Sequence, residues 1–391
     1  MPARTRAPDV GVYVHLPFCE RICPYCDFAV EAAGRLDPET ERRYLEWLEI
    51  ELDLALAGPA RPAAGCALRS VYFGGGTPSL LAPASIERLL GMIRARFAGE
   101  PDEVTLELNP GTVEISRVPG FRAAGVTRLS VGVQSLRERT LRQLGRAHGA
   151  AEALGGLEAC LRGGFESVSA DLIFGAPGQS ESEFLSDLEC VIRLGVPHLS
   201  TYALTIEPET PFARAHALGK LALPDEDTLL SVGRRLRARL AASGLGQYEI
   251  SSFARPGHAA RHNQRYWLRR DVLGIGVGAA SLVGSARWKN LRARSEWQAR
   301  LAAGCLPVAE MESLTEQDAR RETLFLGFRR LAGMSRAAYA RRFPEAPERR
   351  FGAELRELRE LELIEDQFGR IRLTERGILF ADEVFLRFVA C

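Results

Sequence analysis

Three cysteines stand close together near the start of the chain, in Cys19-Glu-Arg-Ile-Cys23-Pro-Tyr-Cys26, a C-x3-C-x2-C spacing. Three thiolates on one short loop can hold three irons of a cubane cluster. The fourth iron then keeps a corner open for a small molecule with nitrogen and oxygen donors. A single zinc ion is the competing use of such a loop. Structural zinc asks for four ligands, commonly in paired C-x2-C knuckles, and the sequence has no second knuckle. His15 is the nearest further ligand, but it falls on a predicted strand. The remaining cysteines, Cys66, Cys160, Cys190, Cys305 and Cys391, are scattered without ligand spacing. They read as packed thiols, with Cys391 expected to be exposed. In a chain of this size, clustered cysteines point to a metal or redox site rather than to disulfides.

Other chemistry-bearing residues follow predicted strands. Phe73-Gly-Gly-Gly-Thr-Pro78 would let backbone approach a ligand closely, although a tight structural turn uses glycine in the same way. Glu107 ends one strand and Gln134 another, Asp171 lies within a third, and Arg146 follows in Leu144-Gly-Arg-Ala-His148. An arginine can grip a carboxylate as a bidentate fork, and the two acids can accept hydrogen bonds. One polar residue at a strand end is commonly a helix cap. Several at successive strand ends converge on one surface.

These residues need a frame. Strands are predicted over 10–16, 70–73, 103–108, 127–133, 167–174 and 198–204. Helices are predicted over 38–57, 83–97, 114–124, 136–144, 150–163, 180–194 and 225–243. Six β-then-α units in series imply parallel strands joined by right-handed crossovers. Periodicity does not choose between an open doubly wound sheet and a barrel-like one, but both place their sites at the carboxyl ends of strands. Past residue 243 the pattern changes. Residues 248–253 suggest another strand, 274–283 are glycine-rich and apolar, and 291–313 read as a linker. Helices follow over 315–331, 336–342 and 353–363, then a hairpin over 363–373 around Phe368-Gly369, then a helix over 375–388. The expected division is 1–290, a linker at 291–313, and a small winged-helix-like domain at 314–391.

Composition narrows the classes. A formal charge of +1 on 391 residues gives no global field for nucleic acid. No stretch reaches the roughly 20 apolar residues that span a bilayer. The first ten residues lack the apolar core of a secretory signal, so a cytoplasmic location is the expectation.

The C-x3-C-x2-C loop, with Tyr25 before its last cysteine, resembles the signature of the radical S-adenosylmethionine (SAM) superfamily. Tyr13-Val-His-Leu-Pro-Phe-Cys19, Gly74-Gly-Gly-Thr-Pro78, Gly132-Val-Gln-Ser135 and Asp171-Leu-Ile-Phe-Gly175 are similar to motifs of its coproporphyrinogen-oxidase-like branch. This resemblance covers nearly the whole chain. It implies an α/β fold, a partial (β/α)6 barrel with a C-terminal winged-helix-like, α-rich domain. It implies a [4Fe-4S] cluster on Cys19, Cys23 and Cys26. It also implies SAM contacts at Tyr13, Tyr25, Gly75, Gly76, Thr77, Glu107, Gln134, Arg146 and Asp171. In that superfamily the open iron binds the amino and carboxylate groups of SAM, and one electron splits SAM to methionine and a 5′-deoxyadenosyl radical.

Two subfamilies compete. The oxygen-independent coproporphyrinogen III oxidases usually carry a longer N-terminal extension and a fourth cysteine two residues after the third. Here 18 residues precede Cys19, and position 28 is Phe28. His262-Asn-Gln-Arg-Tyr-Trp267 instead resembles the HNxxYW motif of the HemW heme-chaperone family. The resemblance therefore implies a heme-binding protein without the oxidase activity. Its partners would be heme, a heme-acceptor protein and an electron donor, with transient membrane contact left open. His262, Tyr266 and His258 are heme-ligand candidates by residue type, with the five scattered cysteines also open, while packing between domains is the alternative use of Tyr266 and Trp267. In Gly274-Ile-Gly-Val-Gly-Ala-Ala-Ser281, Ala280 stands where relatives often carry a histidine.

Overall fold

The structure is a computed structural model that describes residues 8–389; the expectation for Cys391 lies outside them. Strands β1 (Asp9–Leu16), β2 (Ala67–Gly75), β3 (Glu103–Leu108), β4 (Arg128–Gln134), β5 (Ser167–Phe174) and β6 (His198–Ala203) lie side by side in chain order. Every neighbouring pair among them is parallel. That order settles what periodicity left open. A doubly wound sheet reverses its strand order at a switch point, whereas here the winding never reverses, as in a (β/α) barrel. The barrel is partial. Past β6 the sheet continues antiparallel through Ser252–Ala254 and Gly246–Gln247. Past β1 it continues through Val272–Ile275, which is parallel to β1, and then antiparallel through Ala280–Val283, Ala286–Asn290 and Val308–Ser313. The whole sheet has 12 strands.

The strands alternate, and the two faces differ in chemistry. In β1, Val10, Val12, Val14 and Leu16 are fully buried under the helices, while Tyr13 and His15 point to the other face. In β4, Leu129, Val131 and Val133 are the helix-facing set, and Arg128, Ser130, Gly132 and Gln134 form the inner one. Period-2 side-chain alternation places each set on one face. The helices supply the matching apolar stripe. Pro38–Ala57 starts at Asp37, whose carboxylate accepts from the Glu39 and Thr40 N–H groups at 3.0 and 3.3 Å. It buries Tyr44, Leu45, Leu48 and Leu52. Truncating one such leucine to alanine costs about 2–5 kcal/mol.

Residues 291–313, expected as a linker, are built into the body. Helix Arg294–Ala302 places Trp297 in the core, where it stacks on Tyr44 with ring centroids 5.2 Å apart. Val308–Ser313 is the outermost strand of the large sheet. Its side chains are nearly all exposed, and an edge strand held by backbone pairing leaves little trace in composition. The stretch 248–253 is strand only at its end, and the last expected helix breaks at Phe380 into Glu375–Leu379 and Ala381–Val389.

The C-terminal part matches the winged pattern. Glu316–Phe328, Arg336–Arg342 and Glu348–Glu360 pack with a hairpin, Ile364–Gln367 and Arg370–Leu373, to which Met334–Ser335 adds a third strand. Phe368 and Gly369 both have positive φ, 49° and 71°, as a two-residue type I′ hairpin requires. The domain has its own core around Leu324, Phe328, Leu355 and Ile371. A buried Arg269–Glu322 ion pair at 2.6 Å ties it to the barrel.

Candidate functional site

The cysteine loop leaves the carboxyl end of β1 and is pinned by backbone. The Gly76 N–H donates to the Leu16 carbonyl and the Thr77 N–H to the Phe18 carbonyl, each at 2.8 Å. The Glu31 and Ala33 N–H groups donate to the Pro17 and Cys19 carbonyls at 2.9 and 2.7 Å. Glycine is required where the two segments meet. A Cβ on Gly75, whose φ is +113°, would fall 2.5 Å from the His15 ring, and one on Gly76 would fall 2.7 Å from the Phe18 carbonyl oxygen. The glycine run is therefore the seat of the cysteine loop.

Cys19, Cys23 and Cys26 line one cavity of about 410 Å³ at this end of the barrel, together with Tyr25, Gly75, Gly76, Thr77, Glu107, Gln134, Arg146 and Asp171. That volume is within the usual range of small-molecule sites. The thiols are not engaged with one another as disulfides. Among the described residues, no three His, Cys, Asp or Glu side chains converge closely enough to share one metal ion. A cubane asks instead for one sulfur at each of three irons, and three sulfurs around one cavity suit that demand better than a zinc site. His15 adds no ligand: its Nδ1 meets the Tyr13 hydroxyl at 3.1 Å and its Nε2 the Ala29 carbonyl at 2.9 Å. Burial pushes the Cys19 thiol up to about 11 and raises that of Cys26, and the positive charge of Arg146 offsets this only in part. Binding to iron would add positive charge at the sulfurs.

Arg146 is the nearest cation. Its guanidinium lies 3.6 Å from the Cys23 sulfur, donates to the Gly132 carbonyl at 3.2 Å and bonds the Asn109 carboxamide oxygen. Its Nε is buried with no partner, a donor left for a ligand. Asn109 in turn donates to the Thr77 hydroxyl at 2.9 Å, and that hydroxyl faces the Cys19 sulfur at 3.8 Å. Glu107 accepts from the Tyr72 hydroxyl at 2.8 Å and the Gly75 N–H at 3.1 Å; burial still lifts its carboxyl to about 7. Asp171 accepts from the Ser130 and Ser169 hydroxyls at 2.7 and 2.9 Å, and burial raises its carboxyl too. Gln134 sits at φ 63°, left-handed backbone that non-glycine residues adopt at functional sites.

Tyr13 alone of the expected SAM contacts does not line the cavity. It stacks behind it on Tyr72, with ring centroids 6.0 Å apart. Tyr72, Asn109, Arg128, Tyr202 and Asn263 line the cavity without having been singled out as site residues. The available signal was the strand alternation, which puts Tyr72 opposite Phe73 and Arg128 in phase with Gln134.

The heme candidates His262 and Tyr266 are packed away from that cavity. His262 is fully buried, its Nδ1 meets the Ser70 hydroxyl at 2.8 Å and its Nε2 the Tyr266 hydroxyl at 3.0 Å. Its N–H donates to Glu103 at 2.9 Å, and its ring packs on Tyr72 with centroids 5.2 Å apart. Burial holds the imidazole down to about 3, hence neutral. With both ring nitrogens in hydrogen bonds and its N–H on Glu103, His262 ties its own helix, Arg261–Trp267, to β2 and β3. Trp267 packs under the Arg329 guanidinium, 4.4 Å from the ring centroid. Ala280 is exposed at the start of its strand and lies outside the cavity.

The profile of the radical SAM superfamily matches residues 13–191, and that of the HemN C-terminal domain matches 314–380. The chain is 38% identical to the heme chaperone HemW of Mycobacterium tuberculosis over 379 residues, spanning 96% of this chain and 93% of that protein. It is 31% identical to the heme chaperone HemW of Bacillus subtilis over 381 residues, spanning 97% and 99%. Among solved structures, the radical SAM enzyme coproporphyrinogen III oxidase (HemN) from Escherichia coli superposes with a TM-score of 0.82 at 25% identity, over 99% of this chain and 91% of that one. Near-full-length identity to the chaperones, on this barrel and with this cysteine loop, places the chain in the HemW heme chaperone family of the radical SAM superfamily.

Proposed function

We propose that the chain binds heme and passes it to an acceptor protein, using a barrel that holds a [4Fe-4S] cluster on Cys19, Cys23 and Cys26 with SAM beside it. The observation that carries this reading is the match to named heme chaperones across more than nine-tenths of both chains. The site supports the cofactor part. Its donor set is three thiols around one cavity, beside a buried guanidinium whose Nε–H has no partner among the described residues. Arg146 is suited to grip the methionyl carboxylate of SAM. Glu107 and Asp171 are suited to accept from its amino group or ribose hydroxyls, and Gly75 and Gly76 leave room for close backbone approach. A cluster bound here would supply one-electron transfer to SAM.

The alternative, oxidative decarboxylation of coproporphyrinogen III, draws on the structural likeness to HemN. Against it stands Phe28, exposed at the position where the oxidases usually carry a cysteine. Among the described residues no helix is long and apolar enough to cross a membrane, and we place the protein in the cytoplasm. An absorption titration with hemin, run beside an anaerobic turnover assay on coproporphyrinogen III, tests the reading. Saturable stoichiometric heme binding without protoporphyrinogen IX formation is expected. Turnover to protoporphyrinogen IX would establish the oxidase instead.

A further inference from the structure

The cavity continues below the cysteine site into the lumen of the half-barrel, and its wall there is polar. Arg128 opens β4 on the inner face, six residues before Gln134. Arg146 holds the carbonyl of Gly132, four residues along β4 from Arg128, or roughly 13 Å at about 3.3 Å per residue. Arg128 is 3% exposed and lines the cavity. Its Nε is buried with no hydrogen-bond partner. Two carboxylates share its surroundings, but both are held by other donors. Glu103 accepts from the Arg261 and His262 N–H groups at 2.8 and 2.9 Å. Asp171 accepts from Ser130 and Ser169. The Thr105 and Ser167 hydroxyls, on the same inner face of β3 and β5, are likewise buried without partners. A buried cation without a bonded counter-ion is costly, and an unpartnered guanidinium Nε–H in the wall of a cavity indicates a polar occupant.

We propose that Arg128 anchors the carboxylate of a small second ligand in the lumen, separate from the carboxylate site at Arg146. The guanidinium fork matches a carboxylate in shape. A monoanion fits better than a dianion, because the Asp171 carboxyl lines the same cavity and Glu103 lies close enough to Arg128 to act on its charge. Ser130, Gly132 and Ser200 are small residues lining the same cavity as Arg128, which leaves room for a short carboxylic acid to reach the guanidinium. The inference stands on this geometry and does not depend on the heme reading.

The test uses the full chain without SAM and 13C-carboxyl-labelled butyrate as the probe, followed by NMR titration, with neutral butyramide as its isostere. Butyrate should bind saturably to the wild type and to Arg146→Gln. Binding should fall at least about tenfold in Arg128→Gln, as expected for loss of a charge-assisted pair, and butyramide should bind as weakly as that. Equal butyrate affinity in wild type and Arg128→Gln, loss of binding in Arg146→Gln alone, or no saturable binding to the wild type would each overturn the assignment. If Arg128→Gln does not fold, wild-type crystals soaked in 4-bromobutyrate decide. A bromine peak in the lumen beside β4 supports the site. A peak only beside the cysteine loop, or none, refutes it.

Discussion

Replacing Gly76 with alanine tests whether the glycine run seats the cluster loop. Gly76 needs no positive φ, so the cost comes from contact alone. The new methyl would lie 2.7 Å from the Phe18 carbonyl oxygen and 2.8 Å from the Pro17 carbonyl carbon and oxygen. These are backbone atoms and cannot rotate aside. Ordinary contact begins near 3.4 Å, so the loop must withdraw by about 0.7 Å. Overpacking of this kind costs about 1–3 kcal/mol. Each kcal/mol lowers Tm by about 2–4 °C in domains of 150–250 residues, and by less in a chain this long. The functional effect should exceed the thermal one, because the withdrawing segment ends at Cys19. Iron and sulfide per chain after anaerobic reconstitution, read beside calorimetry, should show a clear cluster deficit with a Tm loss of only a few degrees. Gly91→Ala is the control. It lies in helix Pro83–Arg94 with nothing within 4 Å of the new Cβ, and it should stabilise by roughly 0.5–1 kcal/mol without touching iron content. Full iron loading and an unchanged Tm in Gly76→Ala would refute the seating argument.

Two further outcomes follow from the buried groups. Folded Glu107 holds its proton to about pH 7, whereas the unfolded carboxyl releases it near 4.5. The folded state therefore binds more protons in that window, and stability falls as pH rises through it, by an amount on the order of 3 kcal/mol. Denaturation at pH 5 and pH 8 should show this loss in the wild type and a much smaller one in Glu107→Gln; identical pH dependence in the two would contradict it. His262→Ala should destabilise by about 2–4 kcal/mol, because it empties a core position and leaves the Ser70 and Tyr266 hydroxyls unpaired. Heme stoichiometry of the folded variant should stay unchanged, and its selective loss would make His262 a ligand after all.

The sequence disclosed the barrel because each β-then-α unit has a strong local signal. β3, β5 and helix Pro38–Ala57 fall where alternation and the Asp37-Pro38 start place them. It disclosed the cysteine loop and the glycine run because their chemistry is concentrated in a few adjacent residues. Three things were hidden. Val308–Ser313 is an edge strand held by backbone pairing, so its exposed side chains read as linker. The hydrogen bonds that hold the His262 ring, to Ser70 and Tyr266, were hidden because one partner is far off in sequence and the other lies one turn along its own helix. Arg128 passed as one polar residue on an apolar strand, since only the assembled lumen shows that its surrounding carboxylates are held by other groups.

The most direct measurement is electron paramagnetic resonance of the reduced, reconstituted full chain, with and without SAM, in wild type and Cys23→Ala. The account predicts a [4Fe-4S] signal that shifts on SAM addition and disappears with the Cys23 thiol. A signal indifferent to SAM, or undiminished in Cys23→Ala, would contradict it.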